Sequence, residues 1–268
     1  MPAKGTIVFV HGAHVNSRCW EKFIGFFESR GFACIAPDWP FDDRDVPALR
    51  ARPAAELGGV GVSEIVEHFA GVVRALDEAP VLIGHSFGGL FVQLLLDRGL
   101  GAAGVAIDPA PPKGVLPNVR ALKANAGPIL ALLRGQRTIL MSERDFGSYF
   151  GNRIPERERK AAFERYVIPT PLRIFAQAAA APFSATLKLR NRNGAHPPLL
   201  ITAADHDEQV PLSLIRANFR RYSGSATTDF KVFQNHGHTL IFEPGWEEVA
   251  EYIYGWIDAN EVGARSRT

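Results

Sequence analysis

The sequence predicts an α/β protein: a mostly parallel, doubly wound sheet of about six strands with a mainly helical segment inserted into it. Three observations carry this. Short β-branched runs alternate with helix-periodic segments as far as Asp108. Pro109, Pro111, Pro112 and Pro117 then break the rhythm, and about 80 helix-leaning residues follow. Strand character returns at Leu199-Leu200-Ile201-Thr202 and again over residues 229–233.

Ile7-Val8-Phe9-Val10 is short, apolar and continuous, which suits a strand buried on both faces. Trp20, Phe23, Ile24 and Phe27 stand at i, i+3, i+4 and i+7, one face of a helix, and Gly31 sits where a C-terminal cap belongs. Cys34-Ile35-Ala36 is a second strand, stopped at Pro37. Ser63 is placed to cap a helix whose inner face is Ile65, Phe69, Val72, Val73 and Leu76. Val81-Leu82-Ile83 is a third strand and runs straight into Gly84. A helix is expected from Gly88 to about Arg98, closed by Gly99, and Val105-Ala106-Ile107 is a fourth strand. Right-handed strand–helix–strand crossovers then bring successive strand ends to one edge of the sheet.

Residues 1–110 and 198–268 are therefore expected to form the core, and residues 111–197 a helical lid without a clear strand. Trp246, Val249, Ala250, Ile253 and Ile257 mark the inward face of a last helix, and the polar residues after Asn260 are expected to fray.

Composition excludes several classes of function. The net charge of +2 gives no reason to expect nucleic acid or an anionic membrane as partner. No apolar run approaches the ~20 residues of a membrane span. The first apolar run is too short for a secretory signal, so a cytoplasmic protein is expected. Cys19 and Cys34 lack metal-ligand spacing and read as reduced core thiols. No metal or organic cofactor is implied.

The chemistry centres on Gly84-His85-Ser86-Phe87-Gly88, which fits G-x-S-x-G between a strand and a helix. Such a turn strains the serine backbone, lifts the hydroxyl clear of the sheet and points it at a helix N-terminus. A neutral serine is a poor nucleophile, so it needs a base and an acid that orients the base. Asp205 and Asp207 both follow the Leu199–Thr202 strand, and Asp108 ends an earlier one. His236 and His238 both follow the last strand.

The chain resembles the α/β-hydrolase superfamily of capped serine hydrolases over nearly its full length. The resemblance rests on Val8-Phe9-Val10-His11-Gly12, on Gly84 to Gly89, on the Asp207 to Pro211 segment and on Gly237-His238. It departs from the family in lacking two leading strands and in an insertion that matches no recognised lid subtype. It implies Ser86 as nucleophile. His238 is implied as base, from the pattern Gly-His-x-Leu. Asp207, three positions before Val-Pro, is implied as acid. Ala13 and Phe87 are implied as backbone N–H donors to an oxyanion. His11 is then expected to sit hydrogen-bonded beneath its loop. His14 either lines the pocket mouth or faces solvent, and His236 has no required part. His196 and His206 read as turn residues and His68 as a helix-surface residue. Glu143, Arg144 and Asp145 are expected to be solvated or capping. Among the lid aromatics, Phe146, Tyr149, Phe150, Phe163, Tyr166, Phe175 and Phe183, some should line an apolar pocket and the rest pack the lid.

The implied activity is hydrolysis of a carboxylic ester or related acyl bond, on a small and largely apolar substrate. Relatives of the same fold act as C–C hydrolases, lyases or cofactor-free perhydrolases and oxygenases, and some are receptors without catalysis. Ser86 excludes the dehalogenase and epoxide-hydrolase chemistries, which use aspartate at that place.

Overall fold

Following the chain, β1 (Thr6–Val10) leads to α1 (Glu21–Glu28) and β2 (Ala33–Ile35). Then α2 (Val46–Ala51) and α3 (Val62–Arg74) precede β3 (Val81–His85), α4 (Phe87–Leu96) and β4 (Ala103–Ile107). The inserted segment holds α5 (Val119–Ala124), α6 (Ala126–Leu133), β5 (Thr138–Ile139) and α7 (Glu143–Asp145). A π-helical turn Phe146–Phe150, α8 (Glu156–Tyr166), β6 (Thr170–Pro171) and α9 (Leu172–Ala179) complete it. The chain re-enters the core at β7 (Leu199–Ala204), followed by α10 (Leu212–Phe219), β8 (Thr228–Phe233) and α11 (Trp246–Ala259). This computed structural model describes residues 4–180, 186–190, 194, 196–222, 224 and 226–260.

The six core strands form one parallel sheet in the order β2-β1-β3-β4-β7-β8. Its period-two side chains divide the core. Val8, Val10, Leu82, Ala106 and Ile201 pack with α3, α4 and α10 on one face. Ile7, Phe9, Ile83, Val105 and Leu200 pack with α1 and α11 on the other. Phe9 stands 4.9 Å from the Trp20 ring and 6.1 Å from the Phe27 ring, and all three are fully buried. Each such side chain contributes about 1.5–3 kcal/mol.

Register places the site. Val10 pairs with Gly84, His85 with Ile107, and Ile107 with Thr202, so four strands end level. Residues 11–13, Ser86, Asp108 and residues 205–207 therefore meet at one edge. The strand order reverses between β1 and β3, where crevices form in open parallel sheets.

Some expected boundaries shift. The cap of α3 is Gly61 rather than Ser63, which lies inside the helix. Gly61 N–H donates to Glu64 Oε2 at 3.1 Å, and Val62 N–H donates to Gln177 Oε1 of α9 at 2.8 Å. A long-range side chain thus does the capping that a local serine was expected to do. Trp246 is half-buried against Phe23, while Trp256 is the more deeply buried tryptophan of α11. The insertion, expected to hold no strand, contains the antiparallel β5–β6 pair. Two residues per strand are too few to leave a period in the sequence.

The inserted segment is tied to the loop after β1. Val15 and Val167 form an isolated antiparallel bridge, Ile168 N–H donates to His14 O at 2.9 Å, and His14 N–H donates to Thr170 Oγ1 at 2.7 Å. Tyr166 Oη donates to Glu21 at 2.6 Å and its ring lies 4.5 Å from Phe242. Among the described residues, no helix is long and apolar enough to cross a membrane.

Candidate active site

Ser86 is the single residue between β3 and α4, with φ 56° and ψ −120°. Few non-glycine residues adopt that conformation, and here three bonds hold it. Ser86 N–H donates to Ile107 O at 2.9 Å, and Ser86 O accepts from Leu90 N–H at 3.2 Å and Ala110 N–H at 3.0 Å. The flanking glycines are required by space. A Cβ at Gly84 would lie 2.2 Å from Gly88 O, and a Cβ at Gly88 would lie 1.9 Å from Val10 O. Backbone meets backbone at both places, so no rotamer relieves the clash.

At the ends of β7 and β8, Asp207 Oδ2 stands 2.7 Å from His238 Nδ1, with both side chains fully buried. The other carboxylate oxygen accepts from Gln209 N–H at 2.7 Å and Val210 N–H at 2.8 Å. Asp205, the rival acid, faces elsewhere: it lies 3.8 Å from the half-exposed His206. His238 Nε2 is buried without a hydrogen bond, so Ser86 and His238 share the site without being bonded to each other. The His238 ring lies 4.6 Å from that of His85 and 5.0 Å from that of Phe150.

The loop carrying His238 is held by a residue the sequence did not single out. Glu243, 1% exposed, accepts from Gly237 N–H at 2.8 Å and Thr239 Oγ1 at 2.6 Å, and lies 3.1 Å from His236 Nδ1. His236 is accordingly a buried, paired residue rather than a loop histidine without a part.

Asp108 is buried at φ 43° beside the same pair. Its Oδ1 accepts from Ala204 N–H at 2.7 Å, and it makes no hydrogen bond to His238. Burial first, and then the negative charge of Asp207, push its carboxyl well above the usual range. Asp207 beside it accepts from Gln209 N–H and Val210 N–H and lies 2.7 Å from His238 Nδ1. Donor atoms of Asp108, Asp207 and His238 lie within 4.8 Å of one another, a spacing a metal ion could use. Two of the three are already bonded to each other, which suits proton sharing better than ligation.

Three other histidines are neutral by burial. His11 is pushed down to about 4. Its Nδ1–H donates to Gly12 O at 3.0 Å and its Nε2 accepts from Trp39 N–H at 3.1 Å. Both ring nitrogens are spent in holding the loop. His85 is pushed well below its ordinary value by burial and by His238, and its Nε2–H donates to His238 O at 2.6 Å. His14, 3% exposed, is pushed down to about 3 by burial and then by His238. It lines the cavity rather than facing solvent.

A cavity of about 120 Å³ opens over Ser86. Ala13, Phe87, Phe150, Phe175, Val210 and Leu214 give it mainly apolar walls. Of the seven aromatics expected in the insertion, Phe150 and Phe175 reach it. Phe146 and Tyr166 pack the insertion onto the core, Phe163 lies under the Arg50 guanidinium, and Phe183 lies outside the described residues. Phe150 arrives through the π-helical turn, closed by Gly151 N–H donating to Phe146 O at 2.6 Å. Such turns concentrate at functional sites, but nothing in the sequence marks one.

The alpha/beta hydrolase family profile matches residues 7–252. Among solved structures, the chain is similar to a monoacylglycerol lipase of Paleococcus ferrophilus (TM-score 0.68, 21% identity, covering 97% of this chain and 96% of that one). It is also similar to a pyrethroid hydrolase of Sphingobium faniae (TM-score 0.66, 18% identity, 95% and 98%). A third similarity is to a tomato methylketone synthase variant (TM-score 0.71, 13% identity, 96% and 99%). No curated protein sequence matches the chain. At these identities the structural likenesses speak for the fold alone. The profile match spans the strands, the Ser86 turn and the Asp207 and His238 loops, and the chain belongs to the alpha/beta hydrolase family.

Proposed function

We propose that this chain is a serine hydrolase that cleaves the carboxylic ester of a small, largely apolar substrate. The observation that carries the reading is the 2.7 Å contact between Asp207 Oδ2 and His238 Nδ1, buried beside His85 of the Ser86 turn. A carboxylate there fixes the proton on Nδ1 and leaves the Nε2 lone pair free. Ser86 Oγ gives its proton to that lone pair as it attacks the ester carbonyl. The imidazolium, stabilised by Asp207, then protonates the leaving alkoxide. Water repeats the sequence on the acyl-enzyme, with His238 again taking the proton.

Ala13 and Phe87 would receive the oxyanion. Ala13 N–H donates to no acceptor among the described hydrogen bonds, and Phe87 opens α4, where backbone N–H groups have no intrahelical partner. Each such donor is worth roughly 3 kcal/mol in the transition state. Residues 111–197 act in this reading as the lid, with Phe150 and Phe175 closing an apolar acyl or alcohol site.

Turnover of p-nitrophenyl butyrate by paired variants tests the reading. Asp207→Asn is expected to lower kcat by roughly 10⁴-fold, because the amide favours the wrong tautomer of His238. Asp205→Asn is expected to stay within about threefold. Equal losses, or no loss in Asp207→Asn, would refute the assignment.

A further inference from the structure

Two side chains among those lining the mainly apolar cavity above Ser86 hold buried hydrogen-bonding atoms without partners. Gln209, 7% exposed, is one. Its amide orientation is forced by its neighbour. Asn125 Nδ2 lies 2.8 Å from Ala121 O, a group that can only accept. Asn125 Oδ1 must therefore be the acceptor toward Gln209, whose Nε2 donates to it at 2.9 Å. Gln209 Oε1 is left buried with no partner. The residue is anchored as well, since its backbone N–H is bound by Asp207.

His14 is the second. Both ring nitrogens are buried and unpartnered. The neutral ring offers one N–H and one lone pair. Its backbone is pinned on both sides by Ile168 and Thr170, and its ring lies 5.4 Å from Phe175. The backbone of each residue is thus held beside the cavity. A buried carbonyl oxygen without a donor is costly, so a ligand that brings a donor gains over one that does not.

We propose that the site selects an apolar ester carrying one hydrogen-bond donor, a hydroxyl in the simplest case, which Gln209 Oε1 accepts, with His14 as the second polar contact. The inference rests on the serine-hydrolase reading and adds the substrate class to it.

The test uses the wild-type chain and matched ester pairs. Methyl 3-hydroxyoctanoate against methyl octanoate probes the acyl side. The monobutyrate of 1,6-hexanediol against hexyl butyrate probes the alcohol side. On at least one side the hydroxylated ester is expected to have kcat/KM about 10-fold higher or more. That ratio should fall to near one in Gln209→Met and shrink in His14→Phe. Each ratio compares two substrates on one preparation, so a partly folded variant does not distort it. Fluorophosphonate labelling of Ser86 runs alongside. If Ser86 is labelled but both ratios are one or lower, water alone serves these atoms, and the selectivity proposal falls while the hydrolase reading stands. If Ser86 is neither labelled nor needed for turnover, both fall.

Discussion

A Cβ on Gly88 would lie 1.9 Å from Val10 O, whereas Leu133 of α6 leaves 80% of its surface in solvent. The first position lies at the sheet edge under Ser86, the second in the inserted segment above it. At the edge, β1, β3 and α4 meet backbone to backbone, and three hydrogen bonds hold Ser86 at φ 56°. In the insertion, Leu116 and Val119 are also largely exposed, at 65% and 83%. It is fastened to the core largely through side chains, among them Thr170 to His14, Tyr166 to Glu21, Gln177 to Val62 and Asn125 to Gln209. Sterics fix the place of Ser86, while side-chain choice shapes what covers it. In the proposed function, chemistry and substrate selection fall to regions of different tolerance.

The largest effect should come from Gly88→Ala. It forces backbone against backbone and is expected to cost more than ~3 kcal/mol, or to abolish soluble folded protein. Urea unfolding reads this directly, and a near-neutral result would show that the elbow is not sterically locked. Leu133→Ser in the insertion should change the same midpoint least, by no more than about 0.5 kcal/mol.

Between these lies the pH dependence, which probes the buried edge alone. His11 at about 4, His14 at about 3 and the likewise depressed His85 all start from 6.5 in the unfolded chain. Unfolding lets each take up a proton, so its stabilisation is complete above pH 6.5 and is lost as pH falls toward the folded value. Asp42, raised to about 8, and Asp108, also raised, act oppositely, since they keep protons that the unfolded chain releases above 3.8. From pH 6.5 down to about 5, three histidines oppose two acids among the described residues. Stability is expected to fall with pH at about 1.4 kcal/mol per unit. His14→Phe should flatten that slope by a similar amount, as read from urea midpoints at several pH values. An unchanged slope would mean that His14 is not buried neutral.

Much of the sheet edge was legible because its signals are local. A serine between two glycines, after an apolar strand, admits few structures. The Asp207 and His238 positions followed from short patterns on the loops after β7 and β8, and geometry pairs these two rather than Asp205 and His236. What escaped depends on distant partners. Gln177 reaches from α9 to cap α3 in place of Ser63. Glu243 gathers its own loop, and the Asp108 carboxyl is pushed up by burial and then by the charge of Asp207 folded beside it. The placement of Phe150 hangs on a π-helical turn, and the spare oxygen of Gln209 on the direction of one asparagine amide. None of these leaves a period or a spacing in the sequence.

In the proposed function Ser86 is a nucleophile activated by His238. This role is tested most directly by treating the folded protein with a fluorophosphonate and mapping the adduct by peptide mass spectrometry. One adduct per chain is expected, on Ser86, absent in Ser86→Ala and strongly slowed in His238→Ala. An unmodified Ser86 in folded protein, or labelling that His238→Ala leaves as fast, would contradict it.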